Sequence, residues 1–112
     1  MSDAATVAPD AWEHDIALMA RAGTDRAQLA LFADYASNRL LYPQVQEWLR
    51  TSGTPVLAVW GKNDEIFGPA GATAFRRDAP HARIELLDGG HFLLESHLDD
   101  VAAIIREWRA GV

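Results

Sequence analysis

Asp64 and His91 are the two residues whose types and settings could do chemistry together. Asp64 ends the polar stretch Gly61-Lys62-Asn63-Asp64, directly after the apolar run Val56-Leu57-Ala58-Val59-Trp60. His91 ends Asp88-Gly89-Gly90-His91, directly after Arg83-Ile84-Glu85-Leu86-Leu87. A histidine backed by a carboxylate makes a general base: the imidazole takes a proton, while the carboxylate sets its tautomer and stabilises the imidazolium that forms. Both runs have strand length, and the helix-forming segment between them predicts a right-handed crossover that lays the strands parallel and adjacent. Parallel strands open their carboxyl ends on one side, where open α/β sheets bind ligands. Neighbouring strands lie about 4.8 Å apart, so an aspartate after one can reach a histidine after the next. Local sequence leaves two plainer roles open: Asp64 as a turn cap, since Asn-Asp pairs recur in loops, and His91 as a buried histidine satisfied by backbone.

The remaining reactive side chains are less suggestive. His91, Glu95 and His97 match no strong ligand spacing, so no metal is expected, and His14 and His81 read as surface residues. Ser2, Ser37, Ser52 and Ser96 lack the paired glycines of a Gly-x-Ser-x-Gly elbow, no aspartate sits in an equivalent setting, and the chain has 0 cysteines. Covalent catalysis therefore has no nucleophile among these residues. Trp12, Trp48, Trp60 and Trp108 sit in apolar patterns without a basic surround and read as packing aromatics. Phe92 and Leu93 read either as a pocket wall beside His91 or as core, and Asp99, Asp100 and Glu107 as a solvated helix face.

The elements that must position Asp64 and His91 follow from periodicity. Pro9-Asp10 with Glu13 resembles a capping box, after which Trp12, Ile16 and Met19 share a helical face up to Gly23. A second helix is expected from Asp25, with Leu29, Phe32, Ala33, Ala36 and Leu40 on one side. Pro43 fits the first turn of a third helix, with Val45, Trp48 and Leu49 inside and Gly53 as its stop. The continuous run 56 to 60 predicts a strand buried on both faces, typical of parallel sheets. Gly68-Pro69 opens a helix that carries Phe75 and ends at Ala79-Pro80. Leu98, Val101, Ala102, Ile105 and Trp108 trace an amphipathic last helix. The reading divides into a helical part, 1–50, and a strand-helix-strand-helix part, 51–112. Two strands make a marginal sheet, and a doubly buried strand needs a neighbour on its open edge.

Composition excludes several classes. The 112 residues suit one domain, and 49% hydrophobic content suffices for a core. A net charge of -6, with 10 scattered lysines and arginines, argues against nucleic acid. Neither a secretory signal nor a membrane span is expected. With no cysteine, a cytoplasmic location is the default expectation.

The stretch Pro55-Val56-Leu57-Ala58-Val59-Trp60-Gly61-Lys62-Asn63-Asp64 is similar to the acid-bearing strand and turn of α/β-hydrolases, and Leu87-Asp88-Gly89-Gly90-His91-Phe92 resembles their histidine turn. Residues 54 to 110 look like the last two strands and helices of that fold, and residues 8 to 50 like the end of its lid and the following helix. The nearest group is the lidded one that includes epoxide hydrolases and haloalkane dehalogenases. The resemblance implies an α/β fold and its C-terminal portion, with two parallel strands, flanking helices and preceding lid-like helices. It also implies His91 as general base, Asp64 as orienter, and a nucleophile elbow upstream. In epoxide hydrolases lid tyrosines polarise the epoxide, a part that Tyr35 or Tyr42 could fill.

The first expectation is thus a hydrolase fragment or subunit, inactive alone, acting on an ester, epoxide or carbon–halogen bond once a nucleophile is supplied, with no metal or organic cofactor. Its partners would be a small-molecule substrate and the segment that completes it. The second is a non-catalytic module that pairs with itself or another protein through the open sheet edge or the helical faces of 12 to 49. The third is a degraded reading frame.

Overall fold

The computed structural model describes residues 7–112. The elements run α1 (Pro9–Met19), α2 (Thr24–Ser52), β1 (Leu57–Gly61), α3 (Ala70–Asp78), β2 (Arg83–Leu87), α4 (Leu93–Ser96) and α5 (Leu98–Ala110). Strands β1 and β2 are parallel neighbours in the register Leu57 to Arg83 through Gly61 to Leu87, as the crossover argument requires. Among the described residues the sheet has two strands. Alternation along β1 divides its side chains between two faces. Leu57 and Val59 border a cleft with Val101 and Ile105 of α5, whereas the Trp60 ring lies beside Gly71 of α3. The two helices thus cover opposite faces of the sheet.

Three local expectations need correction. The segment expected as two helices is one, because α2 continues through Pro43. Proline removes one intrahelical N–H but leaves the bonds on either side, and good helix formers such as Leu40, Leu41 and Gln44 flank it. Gly23 and Gly53 bound this helix with φ of 86° and 65°, left-handed values that glycine adopts at no steric cost. At α1 the capping box is absent: Ala8 occupies the cap without a side-chain bond, and Pro9 starts the helix. The signal there is a proline pre-set for the first turn, not a hydroxyl or carboxylate cap.

The third correction concerns burial. In β1 only Ala58 and Gly61 are buried, and Leu57, Val59 and Trp60 are half-buried. The apolar composition is that of a strand covered on both faces, but these residues do not supply enough cover. The buried apolar side chains are mostly small, with Ala58, Ala72, Ala79 and Ala82 joined by Leu93 and Val101. Neither α1 nor α2 has a buried residue. Phe32 and Leu40 of α2 are 76% and 78% exposed. The radius of gyration is 17.0 Å, against about 13 Å for a compact domain of this length. The long axis of 45 Å is about the length of a 29-residue helix.

Ion pairs tie the periphery together. Asp78, nearly buried at the end of α3, accepts from Arg50 at the end of α2 and from its neighbour Arg77. The Arg77 bond, working against burial and aided by Arg50, holds the Asp78 carboxyl below its usual range. Arg83 at the head of β2 bonds Glu85 at 2.8 Å and Glu107 of α5 at 3.1 Å. Among the described residues, no helix is long and apolar enough to cross a membrane.

Candidate active site

Asp64 lies just beyond the carboxyl end of β1 and His91 just beyond that of β2. Two backbone bonds continue the strand pairing past the sheet: Lys62 N–H donates to the Leu87 carbonyl at 2.9 Å, and Asn63 N–H to the Gly89 carbonyl at 3.1 Å. This approach requires glycine. A Cβ on Gly61 would stand 2.6 Å from the Gly89 carbonyl oxygen and closer still to that of Gly90. A Cβ on Gly89 would stand 2.6 Å from Leu93 Cδ1 and 3.0 Å from the His97 ring. The main chains of the two turns are therefore in direct contact.

That contact brings His91 Nδ1 to 3.2 Å from Asp64 Oδ1 and 3.1 Å from Oδ2. An ionised carboxylate only accepts, so Nδ1 carries the proton and Nε2, at the far side of the ring, is left as the basic nitrogen. The Asp64 side chain is 7% exposed and that of His91 31%. Asp64 Oδ1 also accepts from the N–H groups of Ile66 at 2.9 Å and Phe67 at 2.8 Å. Burial would raise the Asp64 carboxyl, but the bonds from Phe67 N–H, His91 and Ile66 N–H outweigh it and hold the group below its usual value of 3.8. The two plainer roles of Asp64 and His91 are thus answered differently. Asp64 does cap a turn, and the same carboxylate accepts a hydrogen bond from His91 Nδ1. The Nδ1 partner of His91 is a side chain, not backbone.

Two phenyl rings bracket the imidazole. Phe67 lies 5.3 Å from it, tilted by 52°, and Phe92 lies 5.2 Å away, edge-on at 79°. The loop that carries Phe67 is closed by the Trp60 indole N–H, which donates to the Phe67 carbonyl at 2.7 Å. Phe92 and Leu93 both line the cleft beside His91, Phe92 exposed and Leu93 buried, so Leu93 serves as wall and core together. His91 and Asp64 face an open cleft of about 580 Å³ with largely apolar walls. Sequence reasoning missed Phe67. The Asp64-x-Ile66-Phe67 spacing was the available signal, because an aspartate bonding the N–H groups two and three residues on is an Asx turn.

The other reactive side chains lie elsewhere. Ser37 donates within α2 to Asp34, and Ser96 Oγ lies 2.7 Å from His97 Nδ1. Neither they nor Ser52 border the His91 cleft. Tyr35 and Tyr42 share a hydroxyl–hydroxyl bond of 2.9 Å on α2, and Tyr42 lines a separate groove against α3. Among the described residues, no three histidine, aspartate or glutamate side chains are grouped to hold a metal ion.

Comparison with known proteins matches residues 2–98 to the family described as alpha/beta hydrolase fold. The chain belongs to the α/β-hydrolase family. It is 47% identical over 97 residues to a Saccharomyces cerevisiae protein named "Uncharacterized hydrolase YNR064C". That match covers 87% of this chain and 33% of the relative, so the chain spans about a third of the length of this relative. No solved structure matches it.

Proposed function

We propose that His91 and Asp64 are the general base and the orienting acid of a hydrolase whose nucleophile comes from polypeptide outside these residues. One observation carries the reading: a carboxylate-backed imidazole, with Nε2 as its basic nitrogen, beside an apolar cleft. The family, the name of the yeast relative and the two thirds of that relative left unmatched support it.

The residues suit two chemistries. With a serine nucleophile, Nε2 takes the hydroxyl proton as oxygen attacks an ester carbonyl, then gives it to the leaving alcohol; water, deprotonated the same way, releases the acid. With an aspartate nucleophile, carboxylate attack on an epoxide or carbon–halogen carbon forms an alkyl ester as the ring C–O bond opens to a hydroxyl that takes up a proton, or as halide leaves; Nε2 then deprotonates the water that cleaves the ester into the alcohol and the regenerated aspartate. In both, Asp64 stabilises the imidazolium, and its lowered pKa keeps it ionised for that purpose.

The test is turnover of p-nitrophenyl acetate by the chain alone and together with the portion of the yeast relative that it does not match. The chain alone is expected to be inactive. In the active combination, His91→Ala should lower kcat about 10⁶-fold and Asp64→Asn about 10⁴-fold. Turnover by the chain alone that His91→Ala abolishes would place the nucleophile within it. Turnover indifferent to His91→Ala would remove His91 from the mechanism.

A second reading is favoured by the apolar side chains that α2 leaves uncovered, Leu29, Phe32 and Leu40 among them. In it the chain is a self-associating or protein-binding module derived from the fold. It predicts a homodimer by light scattering that binds no hydrolase segment.

A further inference from the structure

We propose that Asp88 is a positioning residue for the His91–Asp64 pair, tying the turn that carries the acid to the turn that carries the histidine. Asp88 Oδ1 accepts from Asn63 Nδ2 at 2.9 Å and pairs with Lys62 Nζ at 3.0 Å. Lys62 and Asn63 are the residues immediately before Asp64, and Asp88 stands just upstream of His91. One carboxylate therefore bridges the two segments where they leave the sheet.

The backbone bonds from Lys62 and Asn63 set how far apart the turns lie. Each turn can still pivot about the end of its strand, and the side-chain bridge opposes that pivot. A pivot matters here because the Asp64 carboxylate meets Nδ1 at the edge of hydrogen-bond range, 3.1 to 3.2 Å. Asp88 is 74% exposed and does not border the cleft, so it acts through the pair and not on anything the cleft holds. The bond from Asn63, then the charge of Lys62, holds its carboxyl below the usual value, so it stays ionised wherever a histidine base works. An exposed bridge of this kind has a modest effect.

The functional meaning of this tie rests on His91 and Asp64 being base and orienter. Its geometry can be measured without any turnover. Proton NMR of the full chain should show the His91 Nδ1–H as a downfield resonance, protected from exchange by Asp64. Asp88→Ala should speed its exchange about two- to fivefold, the factor given by a surface pair. Asn63→Ala should do the same, and the double substitution should add nothing further, as for two residues acting through one bond. Asp88→Asn, whose amide oxygen still accepts from Asn63, should restore most of the protection. Asp99→Ala, an exposed acid elsewhere, should have no effect. Unchanged exchange in Asp88→Ala, equal acceleration across the backbone amides, or no rescue by Asp88→Asn would each overturn the tie. If the unsubstituted chain shows no such resonance, the acid–histidine pair and the tie fail together. If the resonance is present but insensitive to Asp88, only the tie fails.

Discussion

Residues 57–110 and residues 9–52 are similar in apolar content, yet they are used in opposite ways. In the first region short elements fold back on one another, and among the described residues every buried one apart from Val7 lies there, including Gly61, Gly89, Leu93 and Val101. In the second, two helices present Trp12, Ile16, Phe32 and Leu40 to solvent. The regions are joined at few points, chiefly where Arg50 of α2 meets Asp78 of α3. The contrast teaches that a hydrophobic sequence pattern specifies a face to be covered but not what covers it. Burial by a strand-helix-strand unit is local, whereas a long helix needs a surface supplied from elsewhere.

The sharpest way to break this contrast is Gly61→Ala. The added methyl collides with two backbone carbonyls that cannot swing aside, so the cost should reach the upper end of overpacking penalties, about 3 kcal/mol. Circular dichroism and thermal melting should show residues 57–110 loosening. Gly68→Ala, with open space around it, should be tolerated. A Gly61→Ala chain as stable as the parent would mean that the two turns are not held by backbone contact.

Acid tests the join between the regions. Asp78 and Asp64 both have folded pKa values below the usual 3.8, so each contributes stability that is present above the unfolded value and lost as pH falls through the folded one. Unfolding free energy should be flat near neutrality and decline as pH drops below about 4. Asp78→Asn should flatten part of that decline while leaving the His91–Asp64 bond in place. A decline of undiminished size in this variant would exclude the Arg50–Asp78 link as a source of acid sensitivity.

The smallest effect is expected where the apolar surface is largest. Phe32→Ser or Leu40→Ser should change the stability of the isolated chain by no more than ~0.5 kcal/mol, since these side chains already face water. A loss of several kcal/mol, dependent on protein concentration, would show that another copy covers α2 and would favour the self-association reading.

Much of the fold is legible in the sequence. The β2 boundaries, 83 to 87, agree with the expected run, and the parallel neighbours follow from one helix joining two apolar runs. The positions of Asp64 and His91 beyond the strand ends were legible for the same reason, because periodicity and turn residues are local signals. Less legible were the unbroken α2 and the short α4. Pro43 is a strong local breaker that the bonds of its neighbours override. Residues 93 to 96 are too few for a periodic pattern to declare itself.

Sequence alone determined which residues could form a base and its orienter, in what order they lie, and that no elbow-type nucleophile accompanies them. These are matters of residue type and spacing. Only the tertiary structure decided that Asp64 bonds His91, that the Phe67 ring lies against the imidazole, and that glycine lets the main chains of the two turns meet. The reason is that these features depend on atoms far apart in the chain meeting at van der Waals distance. That distance is set by how β1 and β2 pair, and not by any local preference of the residues that meet.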